Sequence, residues 1–210
     1  MSYHLICGIG CGSAIVEAAL VLSGLPFTIE DTEYWNEGPS RERLLSVNPL
    51  GQVPVLQLPD GQWISESAAM LLHLGDVSPE AGLVPPAGHP ARARFLHWLQ
   101  FLVCAIYPTF TYGDDPARWV GSEATGRALK QSTDEHRKRL WVQLEHQLGD
   151  GSWCLGDSFS ALDLYLTVMS QWRPGRDWFA GNCPKIAAIA ARGDAIAALA
   201  PVWQRNFSDS

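Results

Sequence analysis

Short apolar runs alternate with turn residues at the start of the chain. Tyr3 to Cys7 is an apolar run of strand length, and after the glycine-rich turn Gly8–Gly12 apolar residues recur at helical spacing from Ser13 to about Ser23. Gly24-Leu25-Pro26 ends this helix, and Phe27 to Asp31 alternates as a second strand. The pattern predicts a β-α-β unit, in which the right-handed crossover makes the two strands parallel neighbours.

A second group of strands is predicted after an irregular polar stretch at 34–43. The apolar run 53–58 has strand character, and the turn residues Pro59-Asp60-Gly61 predict that Gln62 to Ile64 returns antiparallel as a hairpin. Ser65-Glu66-Ser67 then opens a helix. The predicted order, β-α-β-(α)-β-β-α, is the thioredoxin-like arrangement, although short apolar runs alone do not separate strands from helices.

Helical spacing dominates the rest of the chain. Prolines and glycines crowd into residues 77–90, which is typical of a linker. The first helix beyond it is predicted to end near Pro108, and a second to start near Ser122. Ser160 begins a third, and Pro184 lies in the first turn of a fourth.

These patterns predict two domains. The first is an α/β thioredoxin-like N-terminal domain at residues 1–78, and the second is an all-α helical-bundle C-terminal domain at residues 88–210. A chain of 210 residues is long enough for one large domain or two small ones.

Composition narrows the class of protein. Hydrophobic residues make up 47% and charged residues 18% of the chain, as in ordinary globular proteins. No apolar run approaches the roughly 20 residues that cross a bilayer, and the start lacks the features of a secretory signal, so we expect a cytoplasmic protein outside the membrane. The net charge of -7 and the absence of a basic stripe argue against a nucleic acid partner.

The chain has five cysteines at scattered positions. Their odd number and spacing indicate neither a disulfide framework nor a zinc site, and we expect no metal. Apolar or aromatic neighbours predict that Cys104, Cys154 and Cys183 are buried and inert. Cys7 falls in the first strand as a core thiol, which leaves Cys11 as the thiol with candidate chemistry.

Val53-Pro54 is an unusual way to open a strand, because proline donates no hydrogen bond to a ladder. A cis peptide bond at this position would turn the main chain of Val53 towards an extended ligand, which would pair with it as an added strand. An edge strand that merely starts with proline explains the same residues.

Ser65-Glu66-Ser67 offers polar groups at a helix N-terminus. Free amides and the positive end of the helix dipole favour an anion there. Ser67 adds a hydroxyl donor for a carboxylate, and Glu66 an acceptor for an ammonium group. Ordinary capping by Ser65 is the alternative.

The chain resembles the cytosolic glutathione transferases of bacterial type, without an assigned class. The glutathione-binding half of that family is similar to Asn48-Pro49-x-Gly51-x-Val53-Pro54-Val55-Leu56, Asp60-Gly61 and Ile64-x-Glu66-Ser67-Ala68-Ala69. A buried helix-start motif of the family, in which serine and aspartate cap each other's amides, is similar to Leu155-Gly156-Asp157-x-Phe159-Ser160-x-x-Asp163. The resemblance covers nearly the whole chain and gives Ser160 and Asp163 a structural role.

The resemblance implies glutathione as co-substrate and assigns its contacts. Val53 would hold the cysteinyl main chain of glutathione, with Pro54 as the cis proline. Glu66 and Ser67 would bind the γ-glutamyl end. Gln52 would help to hold the tripeptide backbone or the glycyl carboxylate.

The thiol activator of this family is a Tyr, Ser or Cys where the first strand meets the first helix. A hydrogen bond from it lowers the pKa of the glutathione thiol. Cys11 and Ser13 are the catalytic candidates here, and neither matches the family pattern cleanly, since cysteine-type classes place their Cys near Gly12. Cys11 lies on a glycine-flanked turn before a helix N-terminus, whereas Ser13 also fits as the helix N-cap.

The resemblance implies a detoxifying enzyme that attacks an electrophilic small molecule with the glutathione thiol, or that uses glutathione for isomerisation or reduction. Ile9, Tyr107 and Tyr112 are predicted to line the pocket of the second substrate. A homodimer is implied as well. The alternatives are a non-catalytic binding or assembly module of the same family and a glutathione-dependent thiol reductase centred on Cys11.

Overall fold

The computed structural model describes residues 2–208. A four-stranded mixed sheet has the order β2-β1-β3-β4, and its strands are β1 (Tyr3–Cys7), β2 (Phe27–Asp31), β3 (Val55–Gln57) and β4 (Trp63–Ile64). β1 pairs parallel with β2 and antiparallel with β3, and β4 closes the hairpin with β3. The predicted β-α-β unit and hairpin are confirmed, as is the thioredoxin-like order of elements.

Three helices accompany the sheet: α1 (Ser13–Leu22), α2 (Pro39–Val47) and α3 (Ser67–Val77). α2 overlaps the stretch that was predicted to be irregular. Its first turn contains Pro39, whose fixed φ suits a helix start. β3 is shorter than the predicted apolar run, because Pro54 lacks the N–H that a ladder needs.

The second half is helical throughout. A π-helical turn at Phe101–Ile106 separates its first two helices, and short 3-10 turns lie at Pro79–Ala81, Pro116–Arg118 and Ala197–Leu199. The helices are α4 (Arg92–Gln100), α5 (Tyr107–Asp114), α6 (Glu123–Gln147), α7 (Ala161–Met169), α8 (Arg176–Asn182), α9 (Pro184–Asp194) and α10 (Ala200–Phe207).

Pro108 does not end a helix, so the predicted boundary there is wrong. The helical backbone continues from α4 through the π-helical turn into α5, and Pro108 occupies the first turn of α5, where a missing N–H costs nothing. The predicted start near Ser122 is confirmed, since the Ser122 hydroxyl accepts a hydrogen bond from the amide of Thr125 (3.2 Å). Pro184 lies in the first turn of α9, as predicted.

The predicted capping motif at the start of α7 is confirmed. The carboxylate of Asp163 accepts hydrogen bonds from the amides of Cys154 (2.7 Å) and Ser160 (2.8 Å). Asp163 is fully buried, and this burial raises the pKa of its carboxyl group to about 6 against the opposing effect of these donors. The motif ties the loop before α7 to the helix that packs on α1.

A single apolar core joins the sheet to the helical half. α1 packs against α3 of the first half and against α7 and α10 of the second half. The apolar core includes Leu5 and Ile15 from the first half and Phe95 and Tyr165 from the second, all fully buried. The start of α1 is therefore held from both halves, and the domain boundaries at 78 and 88 stay a prediction.

Within residues 2–208, no single helix is both long and apolar enough to cross a bilayer. By length and composition alone, α9 and the segment Ala197–Phe207 pass that test together as one pair, bent by 73°.

Candidate active site

The turn between β1 and α1 carries the two predicted catalytic residues. Gly12 is the N-cap of α1 and Ser13 its first residue, so the hypothesis of Ser13 as N-cap is wrong. The Ser13 side chain is fully buried, and its hydroxyl accepts a hydrogen bond from the amide of Gly8 (3.3 Å). Ser13 thus ties the end of β1 to the start of α1.

Cys11 is half-buried in the same turn. Its thiol donates to the carbonyl of Gly8 (3.0 Å), and its sulfur lies 3.3 Å from the hydroxyl oxygen of Ser13. The ring of Tyr34 covers Gly8, where a β-carbon would approach the ring to 2.5 Å. Burial raises the pKa of Tyr34, and the nearby Cys11 adds to the effect. Cys11 is therefore enclosed by groups that already use its hydrogen-bonding capacity.

The helical half holds this turn through Gly10. The side-chain oxygen of Asn206 in α10 accepts from the Gly10 amide (3.2 Å), and the indole N–H of Trp172 donates to the Gly10 carbonyl (2.8 Å). Gly10 has a φ of 70°, a left-handed conformation that glycine adopts without steric cost. Both main-chain groups of the turn's central residue are thus satisfied from the other half.

Tyr107 brings a hydroxyl from α5 to the start of α1. A β-carbon on Gly12 would overlap this hydroxyl oxygen and would lie 3.1 Å from the adjoining ring carbon. The Tyr107 ring packs edge-on against Trp172 (5.6 Å between centroids) and Phe110 (6.4 Å). Burial raises the pKa of Tyr107 well above its ordinary value, and the nearby Tyr165 adds to this.

Val53 and Pro54 are joined by a cis peptide bond, as the first of the two interpretations predicts. Val53 is half-buried, and within residues 2–208 its main-chain N–H and C=O take part in no hydrogen bond. The register that pairs Ile6 with Val55 places Val53 level with Gly8, at the turn. An unpaired strand-like residue therefore lies at the end of the sheet where α1 begins.

Glu66 and Ser67 lie at this same end of the sheet. α3 begins at Ser67 with Glu66 as its N-cap, and no side chain caps this helix, so capping by Ser65 is wrong. Glu66 is exposed, with φ 68° and ψ 104°, a conformation that non-glycine residues rarely adopt. The Ser67 hydroxyl lies 2.7 Å from that of Tyr165 in α7.

The remaining predicted site residues lie on exposed parts of the chain. Gln52 is exposed, and its carbonyl accepts from the side-chain amide of the buried Asn48 (2.8 Å). Ile9 is 55% exposed on the turn itself, whereas Tyr112 packs edge-on against Trp119 (4.9 Å) further along α5. Tyr107 alone of the three pocket residues abuts Gly12, and a pocket role for all three stays a prediction.

The prediction that Cys104 is buried is wrong. It is exposed rather than buried, because it lies on the π-helical turn with its thiol towards the side-chain oxygen of Gln100 (3.2 Å). Cys7, Cys154 and Cys183 are buried, as predicted for each of them. Across the described residues, no group of three or more His, Cys, Asp or Glu side chains is placed to hold a metal ion.

Three residues of this site were missed by sequence reasoning: Tyr34, Tyr165 and Asn206. Each lies outside the motifs and reaches the site through tertiary packing, so no local spacing identifies it. Gly12 is a local sign that another part of the chain comes close to the helix start. A side chain is usually tolerated at such a position, and here a β-carbon would overlap the Tyr107 hydroxyl.

Fold and site together define a two-part protein, a thioredoxin-like half whose sheet ends in unpaired main-chain and polar groups, and a helical half that reaches over them. Residues 13–77 match the family model described as glutathione S-transferase, N-terminal domain. The uncharacterized GST-like protein YncG of Escherichia coli (strain K12) is 38% identical over 198 residues, which cover 94% of this chain and 95% of the relative.

Two solved structures agree in fold over nearly the whole chain. A glutathione transferase from Methylococcus capsulatus str. Bath is 30% identical with a TM-score of 0.80, covering 96% of this chain and 97% of that one. A sphingomonad glutathione S-transferase, complexed with glutathione, is 27% identical with a TM-score of 0.79 and the same coverage of both chains. This chain belongs to the glutathione S-transferase family.

Proposed function

We propose that this protein binds glutathione at the end of the sheet and activates its thiol for attack on an electrophilic small molecule. The observation that carries the proposal is the unpaired main chain of Val53, level with the turn that starts α1. An extended peptide is the ligand that such an edge accepts, because it returns both hydrogen bonds. The sphingomonad relative with bound glutathione supports this choice of peptide.

Each end of the tripeptide has a chemically suitable partner. The cysteinyl residue pairs with the main chain of Val53, which leaves its thiol at the turn. The γ-glutamyl carboxylate binds the Ser67 hydroxyl and the free amides at the start of α3, and the ammonium group binds the exposed carboxylate of Glu66. Gln52, exposed beside Val53, binds the glycyl end.

The reaction follows from the nucleophilicity of the thiolate. The thiol proton passes to water, and a sulfur electron pair then forms a bond to the electrophilic carbon. In a substitution the leaving group departs with its bonding pair, whereas in an addition the displaced pair moves to the acceptor, which takes a proton from water. Donors near the sulfur favour the thiolate over the thiol.

We extend the proposal to the setting of the reaction: a cytoplasmic homodimer with glutathione as co-substrate and no metal. Resemblance to the family supports this setting. Light scattering after gel filtration tests the oligomeric state directly, with twice the chain mass of 23.0 kDa as the expected result.

The test is calorimetric titration with glutathione, followed by conjugation of glutathione to a chlorodinitrobenzene. Ser67→Ala should weaken glutathione binding about tenfold or more, because a hydrogen bond to a charged group is lost. Ser152→Ala is the matched control, since Ser152 is exposed and lies in the second half. Absence of binding at millimolar glutathione would overturn the proposal.

The same experiments separate the alternatives. Binding without conjugation of any tested electrophile would favour the non-catalytic module. Release of glutathione from a mixed disulfide, lost in Cys11→Ser, would favour the thiol reductase. We place conjugation first because the half-buried thiol of Cys11 already donates to Gly8 and lies against Ser13.

A further inference from the structure

One hydroxyl near the turn has no partner of its own. The Tyr107 side chain is half-buried, yet its hydroxyl makes no hydrogen bond with any residue in 2–208. It comes from α5, in the helical half, and lies at the first turn of α1. The hydroxyl is not one of the fully enclosed side-chain atoms that lack a partner, so it is open to solvent and to a ligand at the turn.

Gly12 explains how the hydroxyl reaches this place. Its backbone has a φ of -60° and a ψ of -13°, which any residue adopts, so the chain conformation does not require glycine there. What requires it is space, because a β-carbon would overlap the Tyr107 hydroxyl. The phenol thus occupies the place that a side chain at position 12 would take at the start of the helix.

The other polar side chains around the turn are buried or lie against one another. The hydroxyl of Ser13 is fully buried and accepts from the amide of Gly8, while the thiol of Cys11 donates to the carbonyl of Gly8. Tyr34 covers Gly8 and lies beside Cys11. Tyr107 brings a half-buried hydroxyl to this turn from the helical half, and that hydroxyl makes no hydrogen bond to the described residues.

We propose that the hydroxyl of Tyr107, reaching from the helical half across Gly12, donates the hydrogen bond that stabilises the thiolate of bound glutathione. The inference rests on the proposed function and adds the identity of the activating group, which is a catalytic residue outside the β1–α1 turn. The thiol proton of glutathione passes to water, and Tyr107 keeps its own proton throughout.

The surroundings of Tyr107 suit a donor that stays protonated. Burial raises the pKa of its phenol well above the ordinary value, so the hydroxyl remains a donor across the neutral range. The N-terminus of α1, a helix of ten residues, adds its positive dipole end beside the hydroxyl. A thiolate at this position therefore meets a hydrogen bond and a favourable field.

The test compares the pKa of the thiol of bound glutathione in the wild type and in Tyr107→Phe, followed by the ultraviolet absorbance of the thiolate. The pKa is expected to rise by about 1 to 2 pH units, the effect of one lost hydrogen bond to a charged group. Since a more basic thiolate is also a better nucleophile, kcat/KM below neutral pH should fall by about 3- to 15-fold. Tyr3→Phe is the control, because it removes a hydroxyl that bonds His73 (3.0 Å).

A second variant displaces the same hydroxyl instead of removing it. Gly12→Ala leaves the phenol in the chain but displaces it, so the thiol pKa should rise as it does in Tyr107→Phe. Combining the two changes should add little further, because one hydrogen bond is lost in each case. The double variant also keeps the proposal testable if the added methyl group alone prevents folding.

The outcomes separate this inference from the proposed function. S-methylglutathione, which has no thiol proton, should bind Tyr107→Phe as tightly as the wild type. If the wild type binds no glutathione, the proposed function fails. If it binds glutathione and both Tyr107→Phe and Gly12→Ala leave the thiol pKa unchanged, only the role of Tyr107 is overturned. A rise in thiol pKa in Cys11→Ala of the size expected for Tyr107→Phe would likewise move the role to Cys11.

Discussion

The hydroxyl oxygens of Ser67 in α3 and Tyr165 in α7 lie 2.7 Å apart. Tyr165 is fully buried, and among the described residues its hydroxyl has no other partner. A serine hydroxyl donates one hydrogen bond and accepts two, so donation from Tyr165 leaves the proton of Ser67 free. A residue of the helical half thereby orients a hydroxyl that we propose binds the γ-glutamyl carboxylate.

Tyr165→Phe tests this orientation. Affinity for glutathione should fall about three- to tenfold, because Ser67 loses the hydroxyl partner that fixes its rotamer. Ser67→Ala should cost more, and the double variant should bind no more weakly than Ser67→Ala alone, since the tyrosine acts through the serine. Calorimetric titration measures all three. Wild-type affinity in Tyr165→Phe would contradict the proposal that Tyr165 orients Ser67.

We expect Glu66 to lower the stability of the fold while it favours glutathione binding. Its φ of 68° strains a residue that carries a β-carbon, so Glu66→Gly should raise the free energy of unfolding by about 1 kcal/mol. The same change removes the carboxylate and should weaken glutathione binding. Glu66→Gln keeps the strained backbone and should show the binding loss without the gain. Urea unfolding and titration measure the two effects, and a Glu66→Gly protein less stable than the wild type would refute the argument.

Arg205 in α10 compensates a buried charge on α1. Its guanidinium pairs with the buried Glu17 carboxylate (2.7 Å) and with Asp31, and Asn206 donates to the same carboxylate (3.0 Å). Arg205→Met leaves that carboxylate without its cation, so we expect a loss of about 3 kcal/mol of stability near neutral pH. In Glu17→Gln with Arg205→Met much of the loss should be recovered.

The loss in Arg205→Met should depend on pH in a defined direction. Burial raises the pKa of Glu17, against the opposing effects of Asn206 and Arg205. Because the folded pKa is above the unfolded one, the folded state binds more protons between the two, and stability falls as pH rises through this window. Removing Arg205 raises the folded pKa further. The difference from the wild type should therefore shrink as pH falls towards the ordinary glutamate pKa, and an unfolding series at several pH values that shows it growing would contradict the account.

The five thiols should react with an alkylating agent in a fixed order. Cys104 is exposed and should react first, followed by the half-buried Cys11. Burial raises the pKa of both Cys7 and Cys183 to about 12, and also raises that of Cys154, so these three should react only after unfolding. Mass spectrometry of timed samples with and without urea gives the order. Native-state alkylation of Cys7 at the rate of Cys104 would be inconsistent with this fold.

Local pattern predicted most elements of the sheet half, although it described the start of α2 as irregular. The bounds Tyr3–Cys7 follow from an apolar run and Phe27–Asp31 from apolar alternation, and the capping of α7 follows from a spacing of three residues between Ser160 and Asp163. The π-helical turn at Phe101–Ile106 and the exposure of Cys104 were missed. Both depend on how neighbouring helices pack, which a window of sequence does not contain.

The residues of the candidate site also divide into those that local motifs predict and those that only tertiary packing brings together. Val53-Pro54 and Glu66-Ser67 lie in compact motifs, and the sheet register brings them to one end. Tyr107 was assigned to a pocket by its position, but its contact with Gly12 joins residues far apart in the chain and leaves no periodic trace. Sequence reasoning therefore located the edge that we propose binds glutathione, and it had no means of locating the hydroxyl beside that edge.

The shared space of Gly12 and Tyr107 couples two positions that lie in different halves of the protein. A β-carbon at position 12 collides with the phenol where it now lies, so a cysteine or serine at the helix start requires that the hydroxyl be lost or displaced. Neither position can therefore be redesigned without regard to the other.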